Sequence, residues 1–199
     1  TTSIKDIFKG CYSLTSINLF NFTTSYIDYF SNIFYDCDLK IIDLSNFKSS
    51  KVTNRMDYMF NNCSKLQYIN LPKLDLSLTT NLGYMFNGCS SLKLITINNL
   101  KESNIVDYSY MFNNCTSLET IDLSNFKGSK VINRMDYMFN NCTHLKSVNL
   151  LNFDTSLTSE FSYMFNNCTS IPKVNLSYLI PPTVINNMEY ILDRKSTRL

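Results

Sequence analysis

The chain has 199 residues, of which 44% are apolar and 17% charged, with a formal net charge of +2. Lysines and arginines are scattered singly among the acidic residues, so there is no basic stripe for nucleic acid or for an anionic membrane, and no apolar run approaches the roughly 18 residues a membrane helix needs. One histidine and four glycines leave little for a catalytic triad, a His-based metal site or a phosphate-cradling loop. The expectation is therefore no enzyme, no cofactor, no metal, no nucleic acid and no membrane contact from this segment.

Repetition dominates what remains. Each of the seven cysteines closes a Phe-x-x-Cys motif, from Phe8-Cys11 and Phe34-Cys37 to Phe165-Cys168, at spacings of 26, 26, 26, 26, 27 and 26 residues. The first strand signal follows Cys11, with Asn18 between two apolar residues. After Cys37 the repeat is one residue short, with Lys40 where Leu is expected, so Leu39 is assigned the core slot. Ile42-Asp43-Leu44 is the second strand, and Ser45-Asn46-Phe47 then offers an aromatic to plug a turn. Met56, Met59, Phe60 and Cys63 stand at i, i+3, i+4 and i+7, which predicts one face of a short helix. Leu66, Ile69 and Leu71 give the next strand around Asn70, by the period of two that marks a half-buried strand. The same alternation of halves passes through Thr96, Asp122 (with Leu118, Ile121 and Leu123), Asn149 (with Leu145, Val148 and Leu150) and Asn175. Ile42 to Cys63 recurs as Ile121 to Cys142, differing only at Ser49/Gly128 and Thr53/Ile132, the mark of a duplicated three-repeat block. An eighth copy starts at Met188 and stops at Leu192.

One strand and one short helix cannot bury their apolar sides alone, but stacked copies can. The expected fold is an α/β leucine-rich-repeat solenoid of about seven 26-residue coils, with a parallel concave sheet and short helices on the convex side. Residues 1–192 are read as a single array truncated at both ends. Residues 193–199 resemble a translated sequencing adapter and are set aside as a non-native tail.

Four sets of side chains could carry chemistry. The cysteine ladder (Cys11, Cys37, Cys63, Cys89, Cys115, Cys142, Cys168) has no zinc-type pair spacing. Stacking would bring equivalent cysteines within disulfide range, yet an odd count on a buried face favours buried thiols, with some disulfides as the alternative. The outward strand stripe is Asn18, Asp43, Asn70, Thr96, Asp122, Asn149 and Asn175. Tyr68 and Lys173 flank it, with Ser16, Thr120 and Ser147. This stripe is either a ladder satisfied by itself and water or a ligand-binding face. Tyr58, Tyr84, Tyr110, Tyr137, Tyr163 and Tyr190 form a tyrosine ladder, read as half-buried packing or, alternatively, as an aromatic strip. Asp6, Asp57 and Asp136 share a repeated position and are expected on a solvated face, as is His144.

The pattern Met-x-x-Met-Phe-x-x-Cys-x-x-Leu-x-x-Ile-x-Leu-Ser-x-Phe resembles the BspA-like leucine-rich-repeat surface proteins of bacteria, mycoplasmas and protists. The likeness runs from Ile4 to Leu192. It implies a curved solenoid at the cell surface, engaged in adhesion or in binding a protein or glycan through the concave face. A structural spacer or a cytoplasmic interaction scaffold is the alternative.

Overall fold

A computed structural model describes residues 2–19, 27–44, 54–71, 76, 78–97, 104–124, 133–151 and 155–172. Its strands, in chain order, are β1 (Thr2–Ser3), β2 (Ile27–Tyr29), β3 (Ile41–Asp43), β4 (Asn54–Arg55), β5 (Tyr68–Leu71), β6 (Thr79–Asn81), β7 (Leu94–Ile97), β8 (Thr120–Asp122), β9 (Asn133–Arg134), β10 (Ser147–Asn149) and β11 (Thr158–Glu160). Every pairing between them is parallel.

The strands fall into two series. One contains the Ile-x-Leu segments: β3, β5 and β7 form one sheet and β8 pairs with β10. Ile42, Ile69 and Ile95 lie in register, as do Asp43, Asn70 and Thr96. Alternation sends the isoleucines into the core and residues 41 and 43 into solvent. In the coil that is one residue short, Leu39 is buried and Lys40 exposed. The other series is a second parallel sheet that the sequence did not announce. It runs β1-β2-β4-β6, and bridges at Asp107 connect Asn81 to Arg134 and so to the β9-β11 pair.

Between the two series lies the Met-x-x-Met-Phe-x-x-Cys segment, and here the expected helix is corrected: no helix occurs among the described residues. Met56, Met59, Phe60 and Cys63 are all buried, as their spacing requires. The backbone buries them by consecutive turns instead. Met59 N–H donates to Met56 O at 3.3 Å, Asn61 N–H to Tyr58 O at 3.1 Å and Cys63 N–H to Phe60 O at 3.1 Å. The intervening amides donate to the following coil: Tyr58 to Gly83 at 3.1 Å, Phe60 to Met85 at 2.9 Å and Asn62 to Asn87 at 2.7 Å. A helix would spend all of these amides within its own coil. The turns release every second one to stitch coils together, at roughly 1 kcal/mol net per bond.

Positive φ makes this possible and rules out the helix. Tyr58 has φ 59° and Asn62 φ 60°, each at the third position of a turn. The residue before each cysteine is Gly10, Asp36, Asn62, Gly88, Asn114, Asn141 or Asn167, and all seven have positive φ. These are the residue types that tolerate the left-handed region. At Gly88 the need is twofold, since an added Cβ would also stand 2.5 Å from the Asn62 side-chain oxygen.

Rings stack along the array. Phe8, Phe34, Phe60, Phe86, Phe112, Phe139 and Phe165 form a column, half-buried at Phe8 and buried from Phe34 on, with centroids 5.3–5.6 Å apart and nearly parallel planes. An amide ladder runs beside it, Asn87 Nδ2 donating to Asn61 at 2.6 Å and Asn113, Asn140 and Asn166 continuing at 2.6–2.7 Å. The plugging role given to Phe47 and the proposed tail at 193–199 fall outside the described residues.

Candidate functional site

The outward face of the Ile-x-Leu strands carries two rows. The first contains Asp43, Asp122 and Asn149, all exposed, and the partly exposed Thr96, with Asn70 in register on β5. The strand expected around Asn18 is corrected, since this exposed residue lies in a segment that forms no strand. Asn175 and Lys173 lie outside the described residues. Part of this row is occupied by the fold itself. Asp122 Oδ1 accepts from Ser124 N–H at 2.8 Å and Asn149 Oδ1 from Leu151 N–H at 3.1 Å. Both are local caps that turn the chain as it leaves the strand. The bonds from Ser124 hold the Asp122 carboxyl below its ordinary value, with help from Asn149, so it is an anion at neutral pH.

The second row sits two residues earlier, on the same face by the pleat. It reads Ile41, Tyr68, Leu94, Thr120 and Ser147, with Ile41, Tyr68 and Leu94 in register. These three are 63%, 46% and 51% exposed. Adjacent strands lie about 4.8 Å apart, so the three side chains form one continuous apolar patch beside the polar row. Sequence reasoning named Tyr68 but missed Ile41 and Leu94. The signal was available in the apolar residues one position before the inward Ile42 and Ile95, where alternation demands a polar one.

The cysteines are free thiols; six are buried and Cys11 is half-buried. Each buried thiol bonds to the phenylalanine carbonyl of the preceding coil: Cys37 to Phe8 at 2.9 Å, Cys63 to Phe34 at 2.9 Å, and Cys89, Cys115, Cys142 and Cys168 onward at 3.0–3.1 Å. Burial pushes Cys37 up to about 11 and Cys63 up to about 12, and moves Cys89, Cys115 and Cys142 well above the ordinary thiol value. Nucleophilic chemistry needs the thiolate, and this environment opposes it. No group of three or more metal-binding side chains occurs among the described residues.

Tyr58, Tyr84, Tyr110, Tyr137 and Tyr163 stack with centroids 4.5–4.8 Å apart. The rings are half-buried, and desolvation raises Tyr58 and Tyr110 and takes Tyr84 to about 12. Tyr190 lies outside the described residues.

The expectation for the repeated aspartates is corrected at two of three positions. Asp6 is exposed and stands one place later in its repeat than the other two, in the slot of Tyr58, whereas Asp57 and Asp136 are each 6% exposed. Arg55 grips Asp57 with two bonds at 3.0 and 3.1 Å, and Ser31 of the preceding coil donates a third at 2.8 Å. Arg134 does the same for Asp136 at 3.2 Å, with Ser109 at 3.1 Å. Three charge-assisted bonds per carboxylate offset its desolvation. His144 is exposed, its Nδ1 2.7 Å from Thr116 O.

Short parallel strands repeated every 25 to 27 residues, with laddered side chains between them, define a leucine-rich-repeat solenoid. Comparison with known families agrees. The BspA type leucine-rich repeat region matches residues 1–108 in six copies, and the family described as Mycoplasma protein of unknown function, DUF285, matches residues 80–197. The chain belongs to the BspA-type leucine-rich-repeat family. Neither the curated proteins nor the solved structures give a match. Membership points to a repeat interaction or surface module, in a family that is typically non-enzymatic and often surface-associated. Among the described residues no helix is long and apolar enough to cross a membrane.

Proposed function

We propose that this array is a recognition module displayed at the cell surface, binding a protein partner through the outward face of its Ile-x-Leu strands. The observation that carries the proposal is the in-register patch of Ile41, Tyr68 and Leu94, left in solvent on a preformed sheet. Apolar and aromatic anchors surrounded by polar residues are what the centre of a protein interface requires. Asp43, Thr96, Asp122 and Asn149 supply the polar border on one side. A rigid solenoid offers this surface at little ordering cost. The caps at Asp122 and Asn149 support a second reading, a structural spacer, because they give the polar row a role without any ligand.

The test is a screen of the array against host and neighbouring-cell surface proteins, repeated with Ile41→Lys, Tyr68→Lys and Leu94→Lys combined. Loss of captured partners with an unchanged circular dichroism spectrum supports binding through this face. Capture of the same partners by the triple variant removes it and leaves the spacer reading. Surface display is tested separately, by protease accessibility on intact cells.

A further inference from the structure

The tyrosine ladder ends at Tyr58, and the two preceding coils place Asp6 and Asn32 at the ladder position. The backbone there is the same: φ is 62° at Asp6 and 58° at Asn32, against 59° at Tyr58. Two rungs are thus missing from an otherwise continuous stack. Where they are missing there is a cleft of about 670 Å³, lined by Ser3, Lys5, Lys9, Tyr29, Asn32, Arg55 and Tyr58 among others. It lies against the β1-β2-β4 sheet, away from the apolar patch on β3, β5 and β7.

Its chemistry is cationic and aromatic together. Lys5, Lys9 and Arg55 line it, and the carboxylate among its walls, Asp57, is buried and already held by Arg55 and Ser31. Lys9 lies 5.0 Å above the Tyr35 ring and 3.8 Å from the exposed Asp6. Arg55 keeps half of its side chain in solvent while gripping Asp57. Ser3, Asn32 and the tyrosine hydroxyls add hydrogen-bonding groups around the rim.

We infer that this cleft binds an anionic carbohydrate, with a pyranose ring stacked on Tyr58 in place of the missing rung and its carboxylate or sulfate held by Lys5, Lys9 and Arg55. The ladder repeat of 4.7 Å between Tyr58 and Tyr84 is the spacing at which one ring follows another. A pyranose presents an apolar C–H face to an aromatic ring and hydroxyls to the polar rim, which suits this lining better than a fully aromatic anion does. Pockets of this size hold small ligands of one or a few rings. The site is independent of the protein-binding face proposed above, so each can fail alone.

The test titrates a hexuronate disaccharide, a sulfated disaccharide and their neutral parent into the whole chain at low salt, followed by calorimetry. Two variants accompany the wild type. Asn32→Tyr restores the missing rung on a backbone that already has the tyrosine conformation, and Lys5→Gln with Lys9→Gln removes two exposed charges. At least one acidic disaccharide is expected to bind, and whichever binds more tightly names the anion. The neutral parent and both variants are expected to bind at least tenfold more weakly, with thermal midpoints held within a few degrees of wild type. Equal binding of the neutral parent, unchanged binding by Asn32→Tyr, or tighter binding of an acidic peptide would each overturn the inference.

Discussion

Raising the pH from 8 to 10 should destabilise this protein through its cysteines. Cys63, Cys89, Cys115 and Cys142 are buried, and each spends its S–H proton on a phenylalanine carbonyl of the coil behind. Desolvation is the largest cause of the rise in each thiol's pKa from an ordinary value of 9.0, with Cys63 reaching about 12. Between those values the native chain holds protons that the unfolded chain has released. Stability is therefore fully present below pH 9 and falls as pH climbs toward the raised values. One unit above the ordinary value each raised thiol removes roughly 1 kcal/mol, so at pH 10 these four and the similarly raised Cys37 together remove on the order of 5 kcal/mol. A domain's whole stability is about 5–15 kcal/mol. Urea unfolding with a reductant present, followed by far-ultraviolet circular dichroism, reads the effect directly. With a slope of about 2 kcal/mol per molar, the midpoint should drop by about 2–3 M between pH 8 and pH 10. Cys115→Ala should shrink that drop by about a fifth, since it removes one of five linked protons. A midpoint that stays put between pH 8 and pH 10 refutes the reasoning.

Other perturbations probe the turns, the aromatic column and the buried carboxylates. Gly88→Ala, at φ 75° and 2.5 Å from the Asn62 oxygen, should cost about 1–2 kcal/mol in a denaturant titration. Asn62→Gly, at a φ of 60° that glycine adopts freely, should cost far less. Phe112→Ala removes a fully buried ring stacked between Phe86 and Phe139, and a loss of about 3–5 kcal/mol is expected in the same titration. Arg134→Met leaves the Asp136 carboxylate buried with fewer donors, whereas Asp136→Asn leaves Arg134 able to turn into solvent. Thermal melts should therefore show the arginine variant as the less stable of the two.

Much of the scaffold was legible because a repeat shows the same decision many times. Ile42, Ile69 and Ile95 declared an inward strand position, and Asp43 and Thr96 an outward one, through a period of two that only one backbone satisfies. The shift to Leu39 followed from the one-residue shortening. Helical spacing was a weaker guide. Met56, Met59, Phe60 and Cys63 are brought to one side by a helix, but equally by successive turns with left-handed residues at Tyr58 and Asn62. What separated the two was the run of Gly, Asp or Asn before every cysteine, a signal that points to positive φ and was not used. The second sheet was missed because strands of two or three residues, such as Asn54–Arg55 and Thr79–Asn81, carry no measurable alternation. Asp57 and Asp136 were misplaced because Ser31 and Ser109, which complete their coordination, lie 26 and 27 residues away.

These errors bear on where function can reside. Positions that are identical in every coil, such as the phenylalanine column and the thiol ladder, are explained by stacking, since each copy's partner is the next copy. A ligand is bound by what stacking leaves unexplained, which is where one coil differs from its neighbours. Two such places stand out: the outward slot that holds Ile41, Tyr68 and Leu94 but becomes Thr120 and Ser147, and the tyrosine rung that becomes Asn32 and Asp6. Both lie in the first half of the described array, while the copies from Tyr84 to Tyr163 keep the ladder unbroken. If recognition follows the departures from the repeat, grafting Thr at 41 and 94 together with Tyr at 32 should give an array that folds at least as well as wild type and binds nothing. A grafted array that still captures the wild-type ligands would show that the regular ladders themselves are the binding surface.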